Sequence, residues 1–255
     1  MDDAADREAN ESNGQSVGQS ILQAVLKLPF IKVNRSAYVR ETFGKYYSSD
    51  VVDRFIEDPQ NSDSDIPLSM KDKLADDAIE YHAILAAAAS TALSLPPKIN
   101  MALIPADFTQ ILGNAAVLSQ KLAYIYGWPD FDEEGCTDEY SRLIFLFLAA
   151  MFGTDSANGV LTKVLKLMSS ANGGRNPARK SLLYIAIKAT WPAVNYVCQK
   201  LAIDITRAVF RRSVAKILPF IGAPICGGMT YFSFREMGGK LKSCLRDAYV
   251  SKNNI

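Results

Sequence analysis

The stretch Val214–Gly239, VAKILPFIGAPICGGMTYFSFREMGG, decides the fold of this chain. From Ile217 to Phe234 it holds 18 residues without a charge, a length at the lower limit for a helix that crosses a membrane. Pro219 and Pro224 each remove a backbone donor, and the glycines of the stretch weaken a continuous helix. We therefore predict two apolar helical pieces with a close-packed Gly/Pro joint, either buried in protein or dipped into one face of a bilayer.

Helical signals dominate the rest of the chain. Apolar residues recur every three or four positions, prolines and capping residues bound the runs, and no sustained alternation with a period of two indicates a strand. Gly127 suits the left-handed residue that often follows a helix. We expect an all-α fold, with a disordered polar tail over residues 1–16 followed by a single multi-helix domain over residues 17–255.

Acidic and basic residues are separated along the sequence. Residues 1–159 hold 12 basic and 24 acidic groups, whereas residues 160–255 hold 16 basic and 3 acidic groups. Either the two parts face and neutralise each other, or a basic surface meets anionic lipid or nucleic acid. Nucleic acid is disfavoured because no recognised binding motif is present. Asp72, Asp76 and Glu80 lie on one helix face, where a role as partners for basic residues or as a solvated face is favoured over a cation site.

Little in the sequence indicates catalysis. His82 is the only histidine and lies on an apolar helix face, which favours a packed, structural role. A hydrolase that used His82 as its base would need an acid such as Asp77 or Glu80 in the same pocket. The four cysteines lack zinc-ligand spacing, and no phosphate-binding glycine motif occurs. We expect no enzymatic activity, no metal and no cofactor.

Basic residues flank the apolar stretch on both sides, at helical spacing. This arrangement is typical of an element that dips into an anionic membrane surface, although a core helix pair with solvated flanks has the same pattern. The residues assigned to lipid contact under the membrane hypothesis are Arg207, Arg211, Arg212, Lys216, Phe220, Ile221, Ile225, Lys240, Lys242 and Arg246.

Three segments carry a family resemblance: LPPKINMALIPADFTQIL (residues 95–112), QKLAYIYGWPDFDEE (residues 120–134) and KILPFIGAPICGGMTYFSFREMGGKL (residues 216–241). Their small-residue and proline patterns resemble the EcsC family over roughly residues 70–250. The resemblance implies an all-helical, membrane-associated protein and gives no catalytic residue to carry over.

Two functional hypotheses remain open. The first is a non-enzymatic helical protein that associates with a membrane surface, or contacts lipid, through residues 207–246. The alternative is a soluble accessory or immunity-type module that binds a partner protein. The acidic N-terminal sequence MDDAADREANESNGQS lacks an apolar signal segment, so we expect a cytoplasmic protein, peripheral to the membrane under the first hypothesis.

Overall fold

The computed structural model describes residues 20–25, 28, 30–58, 65–93, 103–130, 137–154, 156–170, 186–217 and 223–253. These residues form helices and turns with no strand among them, which confirms the all-α prediction. The longer helices are α1 Arg35–Phe43, α2 Ser49–Glu57, α3 Leu68–Leu93, α4 Leu103–Ile125, α5 Thr137–Phe152, α6 Ala157–Ser170, α7 Trp191–Ile217 and α8 Ala223–Asn253. Shorter helical segments cover residues 20–25 and 186–189. The tail predicted over residues 1–16 lies outside the described residues.

Helices α3 and α8 form a closely packed antiparallel pair. Gly227, near the start of α8, lies against Thr91, near the end of α3, and Gly238 lies against Ile79 farther along both helices. A Cβ atom at Gly238 would come within 2.9 Å of Ile79 Cγ1, and one at Gly227 would overlap the Thr91 hydroxyl. The absence of a side chain at both glycines therefore permits this close approach.

Helix α8 is continuous over 31 residues, although it contains two pairs of adjacent glycines. The two helical pieces predicted for the apolar stretch correspond to the end of α7 and the start of α8, and their joint falls on residues 218–222, outside the described part. Pro224 is the second residue of α8, in the first turn, where its missing N–H breaks no helical hydrogen bond. Within the described residues, no helix combines the length and apolarity that a membrane span requires.

The centre of the hydrophobic core is α5. Residues 143–151 of this helix are buried on every face. They are enclosed because α4, α6, α7 and α8 all contact α5. A helix that is apolar all round is stable only under such cover, so the sequence LIFLFLAAM takes the central position.

Glycine caps end two of the central helices. Gly127 follows α4 with φ of 82°, and Trp128 N–H donates to the Ala123 carbonyl at 3.0 Å. Gly153 follows α5 with φ of 70° and the same pattern of hydrogen bonds. Both are left-handed caps, as predicted for Gly127, and they reverse the chain sharply enough to bring neighbouring helices together.

Buried polar side chains attach α1 to the rest of the fold. The guanidinium of Arg35 donates to the carbonyls of Trp128 at 2.9 Å and Ile56 at 2.8 Å. Ile56 lies in the last turn of α2, where a cation complements the helix dipole. The buried amide of Gln120 donates to the Ile31 carbonyl at 2.7 Å, just before α1. These bonds fix α1 against α2 and against the segments that flank it and α4.

A glycine substitution series tests the contact between α3 and α8. Replacing either Gly238 or Gly239 by alanine stabilises the helix by up to about 1 kcal/mol through helix propensity. This effect is the same in both variants and cancels when their stabilities are compared. Only the Gly238 variant meets Ile79, because an added Cβ at Gly239 has no neighbour within 4 Å. Overpacking costs about 1–3 kcal/mol, so we expect Gly238→Ala to be less stable than Gly239→Ala by that amount in urea unfolding. Equal stability of the two variants would contradict a close-packed crossing here.

Candidate functional site

The acidic stripe of α3 faces basic residues of α8. The pairs are Asp72–Arg246 at 3.0 Å, Asp76–Lys242 at 2.7 Å and Glu80–Arg235 at 3.3 Å. The stripe is therefore a partner for the basic part of the chain, as the sequence favoured. No group of residues suited to a metal ion occurs in the described part of the chain. Each partly exposed pair contributes at most about 1 kcal/mol, but the antiparallel order of the three fixes the register of the two helices.

These ion pairs change the assignment of the C-terminal members of the predicted lipid-contact set. Lys242 and Arg246 are held by carboxylates of α3, and Lys240 pairs with Glu236 one turn earlier at 2.8 Å. Lys242 is the twentieth residue of α8, so it lies about 28 Å along the helix from Ala223. The structure therefore places these three basic residues far along α8 from its start.

The remaining predicted contact residues are described only in part. Phe220 and Ile221 lie outside the described residues. The others have a described helical backbone but no described side chain; they are Arg207, Arg211, Arg212 and Lys216 in α7 and Ile225 in α8. Residues 211–217 form the last two turns of α7, so three of these basic residues lie close in sequence to the start of α8.

Two interhelical connections leave the same end of the α3/α8 pair. Thr91 lies near the end of α3 and Gly227 near the start of α8, and the two residues are in close contact. The end of α3, which precedes the connection to α4, and the start of α8, which follows the connection from α7, therefore lie together at one end of this helix pair. We call it the connection end.

Four exposed apolar side chains lie in the half of the α3/α8 pair that includes the connection end, and we call them the apolar patch. Its four members are large hydrophobic side chains that are 47–69% exposed: Ile84, Leu85, Met229 and Phe232. The first two lie in the C-terminal half of α3 and the others in the N-terminal part of α8. The ring of Phe232 meets that of Tyr231 with centroids 5.3 Å apart, and the Tyr231 hydroxyl donates to Glu80 at 2.7 Å, one turn before Ile84. No sequence pattern distinguished these four positions, although Ile84 and Leu85 lie off the apolar face of α3.

His82 lies in a buried polar cluster between α3 and α4. The Asn114 side-chain amide donates to the His82 carbonyl at 3.0 Å, which directs the Asn114 Oδ1 atom at His82 Nδ1. Nδ1 must then carry the proton, and Nε2 is left as an acceptor 3.1 Å from Lys121 Nζ. His82 is therefore a neutral, oriented imidazole that accepts a hydrogen bond from a lysine. The acids considered from the sequence, Asp77 and Glu80, are not among its contacts.

The electrostatics of this cluster follow from its burial. Burial lowers the pKa of His82 to about 4; the bond to Asn114 opposes the shift and the charge of Lys121 adds to it. Burial also lowers the pKa of Lys121, against a smaller upward effect of Glu41. Tyr38, which lies beside Lys121, has its pKa raised to about 12, mainly by burial. Burial thus disfavours the charged forms of His82, Lys121 and Tyr38. The sequence around Lys121 and Asn114 does not reveal this environment.

A second buried polar cluster joins α2, α3 and α8. Lys71 is fully buried and donates to the Tyr249 hydroxyl at 2.6 Å, while its ammonium lies over the rings of Tyr249 and Phe55. Nearby, the Tyr126 hydroxyl donates a hydrogen bond to Asp72 at 2.7 Å. The pKa of Tyr126 is raised, mainly by burial and secondly by this hydrogen bond. The sequence signal for Lys71 was its place on the same helix face as His82. We interpret this cluster as structural, because its polar groups are bound to one another.

Comparison of the chain with family models, with curated proteins and with solved structures gives no match. The resemblance to the EcsC family accordingly stays a prediction. The apolar patch, the ion pairs and the His82 cluster are the features from which a function can be inferred.

The depressed pKa of His82 predicts acid sensitivity. Below pH 6.5 His82 is protonated in the unfolded chain, whereas in the folded chain it stays neutral down to about pH 4. The stability contribution is therefore complete above pH 6.5 and is lost as the pH falls towards 4. We expect the protein to lose about 2–3 kcal/mol of unfolding free energy at this residue between pH 7 and 4.5.

The matched variant is His82→Gln, which keeps hydrogen-bonding groups but does not titrate. Urea unfolding of both proteins at pH 7 and 4.5 measures the difference. A decline with pH that is as steep in the variant as in the unaltered protein would refute the assignment of a neutral His82.

Proposed function

We propose that this protein associates with the surface of an anionic membrane and contacts lipid through the connection end of the α3/α8 pair. The observation that carries the proposal is the apolar patch, in which Phe232 is 69% and Met229 66% exposed. A group of large apolar side chains left in water indicates an interaction surface. Burying a Met or a Phe contributes about 1.5–3 kcal/mol each, enough to favour partition of this end into the headgroup region.

Positive charge at the same end supports lipid as the occupant. Arg211, Arg212 and Lys216 occupy the last two turns of α7, directly before the connection to α8. Basic groups near an anionic leaflet contribute about 1 kcal/mol each. Apolar side chains with nearby cations are typical of a segment that binds at the membrane interface and not of one that spans the membrane.

The composition of the two connections gives further support. The sequences SLPPKINMA (residues 94–102) and LPFIG (residues 218–222) contain one charged residue between them, a lysine. The first follows the end of α3 and the second precedes the start of α8, and these two helix ends lie together at the connection end. A surface that contacts lipid is expected to combine apolar connections with exposed apolar side chains.

The proposal differs from the sequence hypothesis in one respect. Lys240, Lys242 and Arg246 are left out of the contact, because carboxylates of the same protein hold them. Charge reversal at Lys242 would place an acid beside Asp76 and disturb the fold, so it is unsuitable as a test of lipid binding. The alternative function, binding of a partner protein, would use the same apolar patch.

Flotation with lipid vesicles tests the proposal. Vesicles of phosphatidylserine and phosphatidylcholine should carry the unaltered protein, and the double variant Met229→Ser/Phe232→Ser should bind at least about tenfold more weakly, a loss of about 1.4 kcal/mol. Arg211→Glu/Arg212→Glu should weaken binding to the anionic vesicles and leave binding to pure phosphatidylcholine nearly unchanged.

Tyr196→Ser is the matched control. Tyr196 is 48% exposed and lies 21 residues before the end of α7, about 31 Å from the connection end along that helix. This variant should float like the unaltered protein. Absence of flotation for the unaltered protein would refute the membrane proposal and leave a partner protein as the occupant of the apolar patch.

A further inference from the structure

The exposed side chains of α3 change character along the helix. Over residues 68–91, whose side chains the structure describes, the exposed residues before Tyr81 are polar or charged, whereas those from Tyr81 onward are aromatic or aliphatic. The first group is Ser69, Lys73, Asp76 and Asp77, and the second is Tyr81, Ile84, Leu85 and Ala88. The change runs along the axis and not across it, because residues 81–91 contain no Asp, Glu, Lys or Arg on any face.

Helix α8 shows the same change in the reverse order. Over residues 227–250 its exposed residues are Met229, Phe232 and Ser233, followed by Arg235, Glu236, Lys240, Ser243 and Asp247, so exposed charge begins at Arg235. The Tyr231 hydroxyl donates to Glu80 at 2.7 Å, and Arg235 pairs with Glu80 at 3.3 Å. The two changes therefore lie at one level of the antiparallel pair, which we call the polarity boundary. On one side of it is the connection end, and on the other are the ion pairs.

Two tyrosines lie at the polarity boundary. Tyr81 follows Glu80 and is 61% exposed. The ring of Tyr231 meets that of Phe232 on the uncharged side, with centroids 5.3 Å apart, while its hydroxyl is bound to Glu80 on the charged side. Tyrosine is enriched where a membrane meets water, because its ring is apolar and its hydroxyl is polar. The polarity boundary thus has the composition expected at the level of lipid headgroups.

We propose that the α3/α8 pair meets an anionic bilayer end-on, with the polarity boundary at the level of the headgroups; this inference rests on the membrane association proposed above. The exposed residues from Tyr81 to Ala88 span about 10 Å along α3, comparable with the depth of about 5–10 Å at which interfacial segments are buried. The connection end enters the membrane surface, and the ion pairs stay in water.

The acidic residues of α3 argue against a flat orientation of the pair. The Asp76 side chain is 65% exposed, and Asp77 is exposed as well. A pair that lay flat would bring both carboxylates against anionic headgroups, which would repel them. An end-on pair holds them away from the lipid on the far side of the polarity boundary.

Charge insertion at two exposed positions of α3 tests this orientation. Ala88 lies on the uncharged side of the polarity boundary, and Ser69 lies on the charged side, about 18 Å from Tyr81 along the helix. Ala88→Glu should weaken flotation with phosphatidylserine and phosphatidylcholine vesicles at least about fivefold. Ser69→Glu is the matched control and should change binding less than about twofold, because 18 Å exceeds the Debye length at 0.15 M salt. Both variants must retain the native circular dichroism spectrum.

An environment-sensitive fluorophore measures the depth of each position directly. It is attached to Ala88→Cys or Asp77→Cys in a background in which the native cysteines are replaced by serine. On the same vesicles, emission from position 88 should shift to the blue and resist quenching by iodide, while emission from position 77 should stay unchanged. The charge variants keep the native cysteines, so they decide the orientation even if this background does not fold.

The outcomes distinguish this inference from the membrane proposal on which it rests. Absence of flotation for the unaltered protein overturns both. Flotation that is weakened equally by Ala88→Glu and Ser69→Glu, or equal protection of positions 77 and 88, shows a flat pair and overturns the end-on orientation alone. Flotation that neither glutamate weakens has the same consequence, because the contact then lies elsewhere on the protein.

Discussion

The close contact between α3 and α8 is the constraint on which the rest of this structure depends. Gly227 and Gly238 remove side chains where the two backbones cross, so the helices approach closely enough for ion pairs to form along their edges. Packing sets the distance between the helices, and the charged pairs set their register. Because the pair is antiparallel, the end of α3 and the start of α8 coincide. The connection end and its apolar patch are consequences of that geometry.

Buried polar groups show how the fold accommodates charge. Arg35 is satisfied by backbone carbonyls at the end of α2, and Lys71 by the Tyr249 hydroxyl and two aromatic rings. In both cases hydrogen bonds offset the cost of removing a cation from water. His82 and Lys121 are different, because two basic groups share one site without a carboxylate in contact. Burial and the charge of Lys121 keep His82 neutral, which makes the cluster sensitive to acid.

Membrane association and acid sensitivity depend on different physical properties of the chain. Membrane association would depend on apolar area and on the basic residues in the last turns of α7. Acid sensitivity would depend on the burial of His82, which lowers its pKa. Loss of Met229 and Phe232 should therefore leave the His82 cluster intact, and loss of His82 should leave the apolar patch intact. The two predictions can be judged separately.

The sequence by itself determined the helical class, the glycine cap at Gly127 and the burial of His82, because periodicity and capping are local properties. For the acidic stripe it left two favoured roles, a solvated face or a partner for basic residues, and the ion pairs with α8 show the second. Only the tertiary structure decided that α8 continues through its glycines, where packing against α3 outweighs a cost of about 1 kcal/mol for each. Likewise, only folding brought Asn114 and Lys121, 32 and 39 residues away, to His82. Contacts between distant segments depend on how helices pack, and no local pattern encodes them.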